Sequence, residues 1–166
     1  MTIIWLIFPV SSLIVIIGLL LNTRFNIGQL NYITFLISLT FGVVAYTQDG
    51  YGGSLYETDV VRYYNYYYKI SEYSLNDFVE IQLLSNPNIL FDVINFSLTR
   101  ISPNNAQVFS FFWITLIYFI SSKAILKLLD LYKLAINYKT KIILLLFGIF
   151  SLLSFSYILD LIKQST

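Results

Sequence analysis

Four stretches of this chain run without a charged residue for nearly the length needed to cross a lipid bilayer. They constrain the fold before any motif is weighed. They are Ile3 to Leu21, Leu30 to Tyr46, Ala106 to Ser122 and Ile142 to Leu159. A span takes about 20 mostly apolar residues in a helix, because no water is available in the hydrocarbon to satisfy unpaired backbone groups. The four runs predict an all-α, polytopic membrane bundle of about four transmembrane helices forming one membrane domain over 1–166. The composition agrees: 57% hydrophobic residues, 11% charged and a mean hydropathy of +0.73 lie outside the usual range of a soluble domain. Pro9, Gly18 and the pair Ser11 and Ser12 interrupt the first run, and all are tolerated in membrane helices. That run has no basic leading region and no small-residue cleavage pattern before Arg24, so it is expected to remain in the mature protein.

Charges between the runs set an orientation. The link 22–29 has Arg24 and no acid, and the link 123–141 has Lys123, Lys127, Lys133, Lys139 and Lys141 against Asp130. The segment 47–105 has seven acids against Arg62, Lys69 and Arg100. The positive-inside rule places the two basic links in the cytoplasm, and the long segment and both termini outside. The lysines read as anchors to anionic lipid, and Asp92 and Asp130 as lone acids on solvated faces. The net charge of +1 suggests no nucleic-acid partner. The absence of cysteine and histidine removes disulfides, metal sites built on either residue, and Ser-His-Asp chemistry. No metal or cofactor is called for by what remains, and the chemistry available is that of carboxylates, Arg, Lys, Tyr, Ser and amides.

The long segment is too extended for a plain connection and too hydrophobic for a disordered one. Gly50, Gly52 and Gly53 break the chain after the second run. Ser54 with Glu57, and Ser74 with Asp77, have capping-box spacing, which predicts helices starting near Leu55 or Asp59 and near Leu75. A further helix over 88–101 starts at Asn86-Pro87 and is too interrupted by Asp92 and Arg100 to span, so it is expected to be interfacial or re-entrant. Ser102-Pro103 reads as the opening of the third span, a capping residue followed by proline.

Within this segment lies ETDVVRYYNYYYK, Glu57 to Lys69. At helical spacing Asp59, Arg62, Asn65 and Lys69 share a polar wedge, while Val60, Val61, Tyr64, Tyr67 and Tyr68 cover the other side. Tyrosine suits the boundary between headgroups and acyl chains because its ring is apolar and its hydroxyl needs a wet partner. An interfacial helix whose Asp59 and Arg62 form a weak i,i+3 pair accounts for this pattern. A functional use is also open: Arg62 or Arg100 pairs with a lipid phosphate, and Asp59 accepts a hydroxyl proton. The spacing alone does not select sugar over peptide or ion.

Two apolar runs, then GGSLYETDVVRYYNYYYKI, then SLNDFVEIQLLSNPNILFDVINFSLTRIS, then a Phe-rich run, resemble the N-terminal part of the EpsG family of bacterial exopolysaccharide and capsule biosynthesis proteins, relatives of the Wzy-like polysaccharide polymerases. The resemblance rests on Thr58, Asp59, Tyr63 and Tyr66; Asn86 stands before Pro87 where the family has an acid. It implies a multi-pass protein of the bacterial inner or plasma membrane acting on lipid-linked oligosaccharide repeat units. Other polysaccharide-assembly proteins are the partners it implies. In the implied glycosyl transfer Asp59 is the proton acceptor or sugar ligand, Arg62 and Arg100 offset the developing pyrophosphate charge, and Tyr63 and Tyr66 line the acceptor. Family members are longer with more spans, so a truncated or split polymerase is expected. A non-catalytic membrane scaffold, or a degenerate remnant in an export complex, is the alternative.

Overall fold

The computed structural model describes residues 11–18, 26–47, 59–84, 87–131 and 137–152, and among them all regular structure is helical. The helices are α1 (residues 11–18), α2 (Ile27–Tyr46), α3 (Asp59–Ser71), α4 (Leu75–Asp77), which continues into a π-helical segment Phe78–Leu83, α5 (Ile89–Ile101), α6 (Gln107–Leu131) and α7 (Tyr138–Leu152). Two of them, α2 and α6, are long and apolar enough to cross a membrane. The chain divides into two units, one of Met1–Thr47 with Phe111–Thr166, the other Gln48–Ser110.

In the first unit α2 begins earlier than its uncharged run because Asn26 and Gln29 form a reciprocal capping box, each side chain bonding the other's backbone N–H at 3.0 Å. The hydroxyls of Thr34, Ser38 and Thr40 donate to carbonyls four residues back, at 2.8 to 2.9 Å, so these three groups on an apolar helix are satisfied within the helix itself. The core gathers Ile33, Ile114, Tyr118, Ile142, Leu145 and Ile149, all fully buried, with Phe41 stacked on Tyr118 at 3.9 Å. Gly42 lets α2 approach α6 closely: a Cβ there would lie 3.0 Å from the Phe111 carbonyl oxygen and collide with the Thr115 side chain. Small residues permit this kind of close backbone approach in membrane helix packing.

Several expected boundaries move. Ser102 and Pro103 do not open α6; they lie in a turn, and the helix starts at Gln107, whose N–H is capped by Asn105 Oδ1 at 3.1 Å. At its other end α6 runs past Ser122 to Leu131, because Lys123, Lys127 and their leucine neighbours are good helix formers and no breaker intervenes. Part of the expected basic link is thus helical. There Asp130 pairs with Lys141, and Lys123 Nζ donates to Asn31 Oδ1 at 2.6 Å. Asn137 opens α7 by accepting from the Thr140 N–H at 2.8 Å, four residues before the uncharged run. Of the first expected span only 11–18 is described, and of the fourth the stretch to Leu152; Lys133, Ser54 and Glu57 lie outside the described residues.

In the second unit the Ser74–Asp77 capping box forms as predicted, and α5 starts at Ile89, two residues after Pro87. Thirteen residues of helix reach about 20 Å, short of a bilayer's hydrocarbon. The π-helical segment turns the chain between α4 and Leu84 and carries Gln82.

Candidate functional site

The tyrosine-rich helix α3 tethers its own unit through its hydroxyls. Its buried face is Val61, Tyr64, Tyr67 and Ile70, spaced by three as a helix requires. Arg62, Asn65 and Lys69 are exposed as expected, and Tyr68, expected on the apolar side, is 43% exposed. Tyr64 shares a 3.0 Å hydrogen bond with the Ser110 hydroxyl, and Tyr67 donates to the Ser102 carbonyl at 2.9 Å. Burial pushes the Tyr67 phenol up to about 12. The rings were expected to seek a wet boundary, yet these two hydroxyls find protein partners instead.

Tyr66 makes the contact that matters most for chemistry. Its hydroxyl donates to Asp92 Oδ1, and Gln82 Nε2 donates to the Tyr66 oxygen at 3.1 Å and to Asp92 Oδ2 at 3.4 Å. Three side chains from α3, the π-helical segment and α5 thereby close a ring. Burial, with the Asp92 carboxylate as hydrogen-bond acceptor and nearby charge, raises the Tyr66 phenol above its ordinary range, while the Gln82 bond acts weakly the other way. The phenol therefore keeps its proton and stays a donor.

Asp92 corrects an expectation. It does not sit on a solvated face but is 1% exposed, on a face of α5 shared with Asn95 and Thr99, at 0% and 1%. A carboxylate held out of water costs several kcal/mol unless hydrogen bonds and charges compensate. On the other side of α5, Ile89, Leu90, Val93 and Ile101 are all exposed. Asp92, Asn95 and Thr99 thus face inward while four aliphatic side chains face outward, beside exposed Ser97 and Arg100.

Aromatic rings surround the pair. Phe91, next to Asp92, stacks on Tyr66 at 6.3 Å and meets Tyr63 edge-on at 6.3 Å, and Tyr63 stacks on Phe109 at 5.3 Å. Tyr63 and Tyr66, both predicted to contact substrate, thus share one aromatic cluster. Arg100 is engaged elsewhere in the unit: it donates to the Tyr73 carbonyl at 2.5 Å, and its guanidinium carbon lies 4.2 Å from the Phe96 ring centre, with Phe96 stacked on buried Phe78 at 4.0 Å. Asp59 is the first residue of α3, and its side chain lies outside the described residues.

Sequence reading puts Asp92 on a solvated face and does not single out Gln82. The spacing of Asp92, Asn95 and Thr99, a polar stripe at i, i+3 and i+7 of one helix, is the available signal for the first. No such pattern marks Gln82. No group of three or more acidic, histidine or cysteine side chains able to hold a metal occurs among the described residues. Comparison of the chain with protein-family models, curated proteins and solved structures finds no match.

Proposed function

We propose that this chain is a multi-pass membrane protein of extracellular or capsular polysaccharide biosynthesis, polymerase-like, acting on lipid-linked oligosaccharide repeat units. Its spans are 3–21, 30–46, 106–122 and 142–159, with 47–105 and both termini on the extracytoplasmic side of a bacterial cell membrane. Membrane residence is supported by α2 and α6, and by the polarity of α5, whose exposed aliphatic side chains suit acyl chains better than water. Most of the apolar window of α6 is unburied (28% buried), unlike the core helix of a soluble protein.

The observation that carries the sugar-handling reading is the buried Asp92 carboxylate bonded to Tyr66 and Gln82 beside the Tyr63, Phe91 and Phe109 rings. A few fixed polar groups set among aromatic walls are the usual make-up of a site for a small polar ligand. In the transfer, an acceptor hydroxyl oxygen bonds to the donor's anomeric carbon while the bond from that carbon to lipid pyrophosphate breaks. The hydroxyl proton passes to Asp59, and Arg62, exposed on α3, offsets the charge of the leaving pyrophosphate. Tyr63 and Tyr66 line the acceptor. Arg100 is held by the Tyr73 carbonyl and the Phe96 ring.

The test is complementation in a strain whose polymer output depends on this gene. Arg62→Ala, at wild-type protein level, is expected to lower polymer yield by about 100-fold, the order seen on removing one charge-stabilising donor. Unchanged yield and chain length would take Arg62 out of the mechanism. The engagement of Arg100 within the fold favours a second reading, a non-catalytic scaffold of an export complex. In that case deletion harms polymer output while Arg62→Ala and Tyr66→Phe both restore it.

A further inference from the structure

We infer that Tyr66, Gln82 and Asp92 form a receptor for a primary ammonium group, whose place the carboxamide nitrogen of Gln82 takes in this structure. The inference stands whether or not the protein transfers sugar.

Charge is the first argument. The second unit has seven acids against three bases, Arg62, Lys69 and Arg100. Arg62 and Lys69 are exposed, and Arg100 is bound to the Tyr73 carbonyl and Phe96. Among the described residues the side-chain partners of buried Asp92 are one phenol and one carboxamide, both neutral. A carboxylate withdrawn from water without a cation is satisfied best by a ligand that brings one.

Donor and acceptor directions narrow the ligand further. Tyr66 spends its only proton on Asp92, so its oxygen can only accept toward Gln82, and Asp92 can only accept. Two acceptors converge on one nitrogen, at 3.1 and 3.4 Å. A hydroxyl has one hydrogen and serves one of them; a phosphate or carboxylate has none and is repelled. An ammonium has three, and a positive charge besides. The longer Gln82 bond lies at the edge of useful geometry, so the carboxamide is readily displaced. Gln82 is only partly buried, on the π-helical segment, so its side chain can swing aside. The neighbouring Phe91 and Tyr63 rings suit a cation, since aromatic faces attract positive charge.

Two sources offer this chemistry at a membrane: an amino sugar and the ethanolamine headgroup of a lipid. Both can be tested on the purified full chain in nanodiscs, by thermal unfolding just below neutral pH, where the amines are charged. In phosphatidylglycerol discs, glucosamine is expected to raise the midpoint while N-acetylglucosamine, which lacks the charge, does not. If the lipid is the source, the midpoint is instead higher in phosphatidylethanolamine than in phosphatidylcholine discs, whose headgroup nitrogen carries no N–H. Asp92→Asn should weaken the response about 30-fold or more, the usual loss on removing one partner of a buried charge pair. Gln82→Lys, which supplies an internal ammonium, should raise the midpoint and abolish the response to either amine, giving a second readout should Asp92→Asn not fold. The proposal is overturned if glucosamine and N-acetylglucosamine act alike and the two lipids do too, if the response survives in Asp92→Asn, or if Gln82→Lys lowers the midpoint.

Discussion

The helix α2 of the first unit and the tyrosine-rich helix α3 of the second place polar side chains in an apolar chain in different ways. In the first, the hydroxyls of Thr34, Ser38 and Thr40 bond to carbonyls of their own helix, four residues away. In the second, the hydroxyls of Tyr64, Tyr66 and Tyr67 reach across 46, 26 and 35 residues. A bond within one turn satisfies a group but says nothing about where the next helix lies. A bond between distant elements fixes that geometry, and a binding site needs its side chains held by their neighbours. The tyrosine hydroxyls of α3 thus fix the geometry of the second unit across long stretches of chain.

Unfolding measurements can break this contrast or sharpen it. Tyr67→Ala should be the most damaging, since it empties a fully buried aromatic position and frees the Ser102 carbonyl; the expected loss is about 3–5 kcal/mol. Hydrogen exchange should show that loss concentrated in Gln48–Ser110, and protection lost equally in α2 would contradict the contrast. Tyr66→Phe removes a hydrogen bond to a buried carboxylate and should cost about 1.5–3 kcal/mol by denaturant titration. It also has a pH signature. The folded protein holds the Tyr66 proton above the ordinary value of 10.0, so this contribution is full below pH 10.0 and declines as pH rises beyond it. Tyr67 adds a like decline between 10.0 and about 12. The Phe variant should therefore lose less stability in alkali than the wild type, and an identical alkaline slope would refute the assignment. Gly42→Ala should cost about 1–3 kcal/mol by forcing α2 from α6, an effect of packing alone that belongs to the first unit. Ser38→Ala should stay within about 0.5 kcal/mol, because the Thr34 carbonyl retains its helical bond. A larger loss there would mean that the local hydroxyls also carry tertiary structure.

What could be read from the sequence follows the same division. Helix starts governed by neighbours were legible: Ser74 with Asp77 forms its box, and Pro87 precedes α5. Asn26 with Gln29 forms a box as well, inside the stretch 22–29 that reads as a link by its charge. The end of α6 was missed because charge was read as a boundary, whereas lysine is a good helix former and stops nothing by itself. Asp92 was misjudged for a deeper reason. Its partners Tyr66 and Gln82 lie 26 and 10 residues away, and periodicity reports which face a residue occupies, not what that face meets. Polar residues on a helix face usually mark the wet side; on α5 Asp92, Asn95 and Thr99 mark the inner one, while most of the exposed side chains are aliphatic.

The reach of the tyrosine hydroxyls bears on how the protein is made. A chain leaving the ribosome yields Tyr64 and Tyr67 well before Ser110 and Ser102 exist. The serines and threonines of α2 are served as soon as their helix winds, whereas the tyrosines have to wait, hydrated or among headgroups, for loops of 35 and 46 residues to close. Assembly of the second unit thus waits for its own C-terminal end, and a ribosome stalled before residue 102 leaves α3 without either anchor.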